Sequence, residues 1–130
     1  MNINLCIVED LAEVREGLRE FLSLNDEFNV QAVFDNAEAS LEQLPVLAPD
    51  IVIMDINLPG MSGFEATRKL ATWPETRDIP VIALSAAAMI RDAARVAGAG
   101  FYRYLTKPVK VDELTRVLDE LLRQANDTTN

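Results

Sequence analysis

The sequence predicts a doubly wound α/β fold, a five-stranded parallel sheet with helices on both faces. Two observations predict it. Short runs rich in β-branched and aliphatic residues alternate, five times over, with stretches of helical period. Several of those runs also end abruptly on a charged or hydroxyl side chain before a short connection. A run that is apolar along its length fits a parallel strand buried on both faces. Such strands deliver their last residues to the carboxyl edge, where open α/β sheets place their chemistry.

The first strand runs from Ile3 to Val8 and ends on Glu9-Asp10. Leu11, Val14, Leu18, Phe21 and Leu22 then recur at helical spacing, with Glu13, Arg15, Glu16, Arg19 and Glu20 between them. Phe28 to Phe34 is shorter on apolar residues and reads as an edge strand. Asp35-Asn36-Ala37-Glu38 has the form of a capping box, opening a helix along Ala37, Leu41 and Leu44 that Pro45 is expected to stop. Ile51-Val52-Ile53-Met54-Asp55 is the central strand, and Asn57-Leu58-Pro59-Gly60 turns out of it.

Ser62-Gly63-Phe64-Glu65 is a second capping box, and its helix is expected to turn Phe64, Thr67, Leu70 and Ala71 toward the sheet. Ile79 to Leu84 is the next strand, ending on Ser85. An alanine-rich helix with Ile90, Ala93, Ala94 and Ala97 on one side follows, broken by Gly98 and Gly100. Phe101 to Leu105 is the last strand, followed by Thr106-Lys107-Pro108. Val111, Leu114, Val117, Leu118, Leu121 and Leu122 form the last amphipathic helix. Residues 1–124 are expected to be one domain and residues 125–130 a frayed polar tail.

Composition narrows the function. The chain has 130 residues, 49% of them hydrophobic, which suits one globular domain. Its net charge of -9 argues against a nucleic-acid surface and favours a cation or a basic partner. With no histidine, imidazole-based acid/base chemistry and a phosphohistidine of its own are excluded. The single cysteine, Cys6, lies in an apolar run and reads as a core residue, compatible with a reducing compartment. There is no charged-then-apolar leader and no apolar run long enough for a bilayer, so a cytoplasmic location without membrane insertion is expected.

Glu9, Asp10, Asp55, Ser85 and Lys107 all follow directly on apolar strands, so a parallel sheet brings them to one edge. Taken singly, Asp55 could be a turn carboxylate, Ser85 a strand-end cap, Lys107 a surface lysine and Tyr104 a half-buried strand aromatic. Converging carboxylates repel, and a hard cation such as Mg²⁺ relieves that repulsion. Lys107 adds an ammonium and Ser85 a hydroxyl. Carboxylate, metal site, ammonium and hydroxyl together suit phosphoryl transfer, with Asp55 as nucleophile.

The pieces Val8-Glu9-Asp10, Met54 to Gly63, Leu84-Ser85-Ala86 and Tyr104-Leu105-Thr106-Lys107-Pro108 stand in one order and strand context. In them the chain resembles the receiver (CheY-like) domain of two-component response regulators, over roughly residues 4 to 123. The resemblance implies the flavodoxin-like (βα)5 fold with strand order 2-1-3-4-5; CheY is a standard example of that order. It also implies the site roles. Asp55 would be the phosphoacceptor, and Glu9, Asp10, Asp55 and Asn57 would form a site for Mg²⁺, with Mn²⁺ as substitute. Lys107 would pair with Asp55 and then with the phosphoryl group. Ser85 and Tyr104 would be the switch pair, and a cis bond before Pro108 would aim Lys107 into the pocket. Gly60 and Gly63 fit turn positions of unusual φ.

The implied partners are a sensor histidine kinase or histidine phosphotransfer protein upstream and a downstream protein or output domain. Phosphorylation would reshape the face made by the fourth helix, the last strand and the last helix. The chain would assist its own phosphorylation and dephosphorylation without turning over a small substrate. Leu11, Arg103 and Ala87 depart from the commoner residues at their positions, Ala87 offering no side chain to a hydrolytic water. A haloacid-dehalogenase-type phosphatase would want a carboxylate where Asn57 stands. A phosphate-independent interaction domain on the same fold would have no need of the complete pocket.

Overall fold

The computed structural model describes residues 3–86, 98 and 100–128. Its elements are β1 (Ile3–Val8), α1 (Ala12–Ser23), β2 (Phe28–Phe34), α2 (Ala37–Leu47), β3 (Ile51–Asp55), α3 (Gly63–Thr72), β4 (Val81–Ala86), β5 (Arg103–Lys107) and a last helix, α4 (Val111–Thr128). The strands form one parallel sheet in the order β2-β1-β3-β4-β5. The expected order is therefore realised, with β2 at the edge. The alanine-rich helix read through Ile90, Ala93, Ala94 and Ala97 lies outside the described residues, as does Ala87.

Strand parity splits the core into two layers. Leu5, Ile7, Ile51, Ile53, Ile82, Leu84 and Leu105 face Leu18 and Leu22 of α1 and Leu114, Val117 and Leu118 of α4. The alternate residues Cys6, Val8, Val52, Met54 and Val81 face Ala37 and Leu44 of α2 and Ala66 and Leu70 of α3. Each fully buried aliphatic side chain contributes about 1.5–3 kcal/mol, so both faces of the central strands are firmly held. Cys6 belongs to this core, and burial pushes its thiol up to about 11 against the opposing Ala32 backbone, which makes it a poor nucleophile.

Several local expectations change. Pro45 does not stop α2, which runs on to Leu47 and ends at Ala48 in the left-handed region, φ 45°. Pro45 lies in the last turn, where the loss of one amide donor is tolerated and the Ala48 N–H still reaches the Leu44 carbonyl at 2.8 Å. Asn36, inside the expected capping box, is the N-cap and accepts from the Ala39 N–H at 2.7 Å. Ser62 caps α3 as expected, accepting from Glu65 N–H at 3.2 Å. On α3 Phe64, Thr67 and Leu70 are buried as expected, with Ala66 beside them, while Ala71 is exposed.

Leu11 and Val111 leave their expected apolar stripes, being 54% and 57% exposed. Leu11 is the N-cap of α1 and Val111 the first residue of α4, so both sit where the helix has not yet turned onto the sheet. β4 and β5 each start two residues later than expected, which puts Ser85 and Lys107 inside their strands. Helical backbone in α4 continues past Gln124. Among the described residues, no helix is long and apolar enough to cross a membrane.

Candidate functional site

Parallel register makes the site. Val8 pairs with Met54, Asp55 with Leu84, and Leu84 with Leu105. Glu9 therefore leaves β1 level with Asp55 at the end of β3. Ser85 stands one residue beyond that row and Lys107 two, paired with Ala86. Lys107 reaches back along its flexible stem. Its Nζ donates to Glu9 Oε1 at 2.9 Å, Glu9 Oε2 at 3.1 Å and Asp55 Oδ2 at 3.1 Å. The other Asp55 oxygen, Oδ1, accepts from the Asn57 N–H at 3.1 Å. Asp55 is thus held from both sides, one oxygen by an ammonium and the other by its own turn.

The charges are buried and out of balance. Glu9 is 0% and Asp55 1% exposed, and Asp10 beside them is partly exposed. Ligand oxygens of Glu9, Asp10 and Asp55 lie within 4.8 Å of one another. Two oxygens on opposite sides of one Mg²⁺ stand about 4 Å apart, so a small closure or one intervening water brings this set to a hard cation. Burial, reinforced by neighbouring Asp55, pushes the Glu9 carboxyl up to about 7 despite Lys107. For Lys107 burial works to lower the pKa. Its hydrogen bonds to Glu9 and Asp55 outweigh that and leave it raised. One ammonium bonds two of the three clustered carboxylates, Glu9 and Asp55, with Asp10 beside them, and a divalent cation fits the deficit.

The turn after β3 is shaped by two glycines for different reasons. Gly60 has φ +77°, a left-handed conformation that favours glycine. Gly63 does not share that conformation, contrary to the sequence expectation. Its requirement is closeness, because a Cβ there would run into the Asp55 carbonyl and lie 2.9 Å from Ile56 Cα. The Gly63 N–H donates to the Ile56 carbonyl at 3.0 Å, so the start of α3 is folded tightly under the Asp55 loop.

The other expected residues fall around this centre. Ser85 is fully buried in β4. Tyr104 is half-buried on β5 against the small cluster of Ile56, Phe64 and Ala83. Asn57 is exposed at the mouth of the turn, and the Lys107–Pro108 peptide is cis. Sequence reading passed over two residues. Arg15, named only among the charged residues between the apolar positions of α1, turns back so that Nη1 donates to the Glu9 carbonyl at 3.0 Å. Glu38, on the first turn of α2, reaches the Met61 N–H at 3.5 Å, over the Gly60 turn. The one sequence signal for Arg15 is an arginine one helical turn after an N-cap without a polar side chain.

Comparison with known proteins points the same way. The family described as response regulator receiver domain matches residues 5–119. Response regulator MprA of Mycobacterium ulcerans is 35% identical over 126 residues, covering 95% of this chain and 52% of that protein. The chain thus spans about half the length of the curated relative. A putative response regulator from Chloroflexus aurantiacus superposes with TM-score 0.87 at 28% identity, covering 95% of this chain and 99% of the other. The receiver domain of a sensor histidine kinase from Pseudomonas aeruginosa has TM-score 0.82 at 29% identity, covering 93% and 98%. That structure has a magnesium ion coordinated in its active site cleft.

Proposed function

The chain belongs to the response regulator receiver domain family, a signalling module of two-component systems, and we propose that Asp55 is its phosphoacceptor. The observation that carries the proposal is the pairing of Asp55, at the buried end of β3, with Lys107 at 3.1 Å beside Glu9 and Asp10. The donor is a phosphohistidine on a sensor kinase or phosphotransfer protein. An Asp55 carboxylate oxygen attacks phosphorus in line through a remaining lone pair, the P–N bond breaks, and its electron pair leaves with the donor imidazole. Asp55 then carries an acyl phosphate.

Each residue has a part in that step. The Asn57 N–H and Lys107 fix the carboxylate plane so that the attacking lone pair is aimed outward. Lys107 follows the charge as it moves from the carboxylate onto the phosphoryl oxygens. Glu9, Asp10, Asp55 and the Asn57 carbonyl would hold Mg²⁺ (or Mn²⁺), which supplies charge neutralisation for the phosphoryl oxygens. Ser85, one residue past the Asp55 row, supplies a hydroxyl to the acyl phosphate, and Tyr104 moves deeper as that hydroxyl is drawn in. The outer face of β5 and α4 changes shape and is read by an output domain or partner. The chain assists its own phosphorylation and dephosphorylation, works in the cytoplasm and binds no nucleic acid itself.

Intact mass after incubation with acetyl phosphate tests this. One phosphoryl group is expected with Mg²⁺, none with EDTA and none in Asp55→Asn. Addition that survives Asp55→Asn would overturn the assignment. Release of phosphate from a generic ester at steady turnover would favour a phosphatase instead.

A further inference from the structure

Glu9 and Asp10 sit on a turn with few local restraints. It contains no glycine or proline, and the N-cap of α1 is Leu11, whose side chain can accept nothing from the helix. A polar N-cap is the usual way to fix such an entry. Here the turn is fixed from outside. The Glu9 N–H donates to the Phe34 carbonyl of β2 at 2.9 Å, and the Glu9 carbonyl accepts from Arg15 Nη1 at 3.0 Å. Arg15 also returns its backbone N–H to the Leu11 carbonyl at 2.9 Å. That main-chain bond is the first of α1, so Arg15 ties the turn to the helix start through its side chain.

We propose that Arg15 is a positioning residue for the acidic turn, its guanidinium setting the peptide between Glu9 and Asp10 so that both carboxylates face a divalent cation. The proposal rests on the metal-assisted reading of the site. Arg15 is well placed for it, its side chain 19% exposed and steadied by Glu16 Oε2 at 3.8 Å. The planar guanidinium has a defined direction that an ammonium lacks. Its charge works the other way, since a cation next to a cation site weakens metal binding. Charge and geometry thus give opposite signs when Arg15 is removed.

Mg²⁺ affinity of the full chain, read by amide chemical shifts in a titration, separates them. Arg15→Ala is expected to raise the Mg²⁺ Kd about 10-fold, the usual scale for a residue that orients ligands. Arg15→Lys should recover part of the loss. Arg77→Ala, which removes an equal charge from an exposed site in the loop before β4, should leave Kd unchanged. In metal-free protein the Asp10 amide should exchange faster in Arg15→Ala while β3 amides keep their protection. An unchanged or lower Kd would overturn the proposal, as would unaltered Asp10 exchange. If Arg15→Ala does not fold, Arg15→Lys against the unaltered chain makes the same decision. Failure of the unaltered chain to bind Mg²⁺ would overturn the metal reading itself, with Asp10 exchange still reporting whether Arg15 holds the turn.

Discussion

The carboxyl edge of the sheet and the outer flank of β5 handle charge in opposite ways. At the edge, Glu9 and Asp55 are buried and share a single ammonium with Asp10 close by. On the flank, the Tyr102 hydroxyl donates to Glu120 Oε2 at 3.0 Å and Arg103 lies 3.3 Å from the same oxygen. Gln124 Nε2 donates to the Tyr102 hydroxyl at 3.2 Å, and the Arg103 guanidinium stacks 4.7 Å from the Tyr102 ring centre. That network is balanced and solvent-facing, so breaking it costs little. The edge is unbalanced and its carboxylates Glu9 and Asp55 are buried, so changes there are felt. On the proposed reading, phosphoryl transfer uses the region where charge is held in deficit, and partner reading uses the one where charges can be rearranged cheaply.

The sharpest way to test the contrast is to remove Lys107. Lys107→Met leaves two buried carboxylates without their cation, which costs about 3 kcal/mol at pH 8, less where Glu9 takes up a proton. Urea unfolding in EDTA measures it, and phosphorylation by acetyl phosphate should fall at least about 100-fold, the lower end for a transition-state charge stabiliser. Gly63→Ala comes next. The new methyl meets the Asp55 carbonyl, so about 2 kcal/mol of destabilisation is expected, with a displaced β3–α3 turn visible in amide shifts.

A pH series probes the deficit directly. Glu9 titrates near 7 in the folded chain against 4.5 as its ordinary value, so the native state binds the extra proton between those limits. Metal-free stability should therefore fall as pH rises from about 5 to about 7.5. Glu9→Gln should flatten that part of the urea-midpoint curve. The smallest effect is expected on the flank. Glu120→Ala should change stability by under about 1 kcal/mol and leave phosphorylation of Asp55 unaltered. A loss there comparable to Lys107→Met would erase the distinction between the two regions.

Much of this was legible in the chain. The central strands β1, β3 and β4 announce themselves because both their faces are buried, and Glu9, Asp55 and Lys107 can be brought together because parallel strands end on one side. What escaped depends on distances between backbones or on directions of long side chains. Gly63 is needed for a close approach that no local pattern encodes. Arg15 lies among charged residues of α1 and differs from Arg19 only in where its guanidinium turns. Leu11 and Val111 fit a helical period yet stay exposed, since periodicity says which face and not where contact with the sheet begins. The Tyr102–Glu120 link joins the bend before β5 to α4 and leaves no trace in either alone.

The reach of Lys107 also has a consequence for biogenesis. Its partners lie 98 and 52 positions earlier in the chain. While the polypeptide is being synthesised, β1 and β3 can pair as soon as residue 55 is free of the ribosome, well before β5 exists. Glu9 and Asp55 then stand side by side with no counter-ion from the protein. The contact that completes the site forms only once β5 has joined the sheet, so on the proposed reading the chain is ready to accept phosphate only when all five strands are in place.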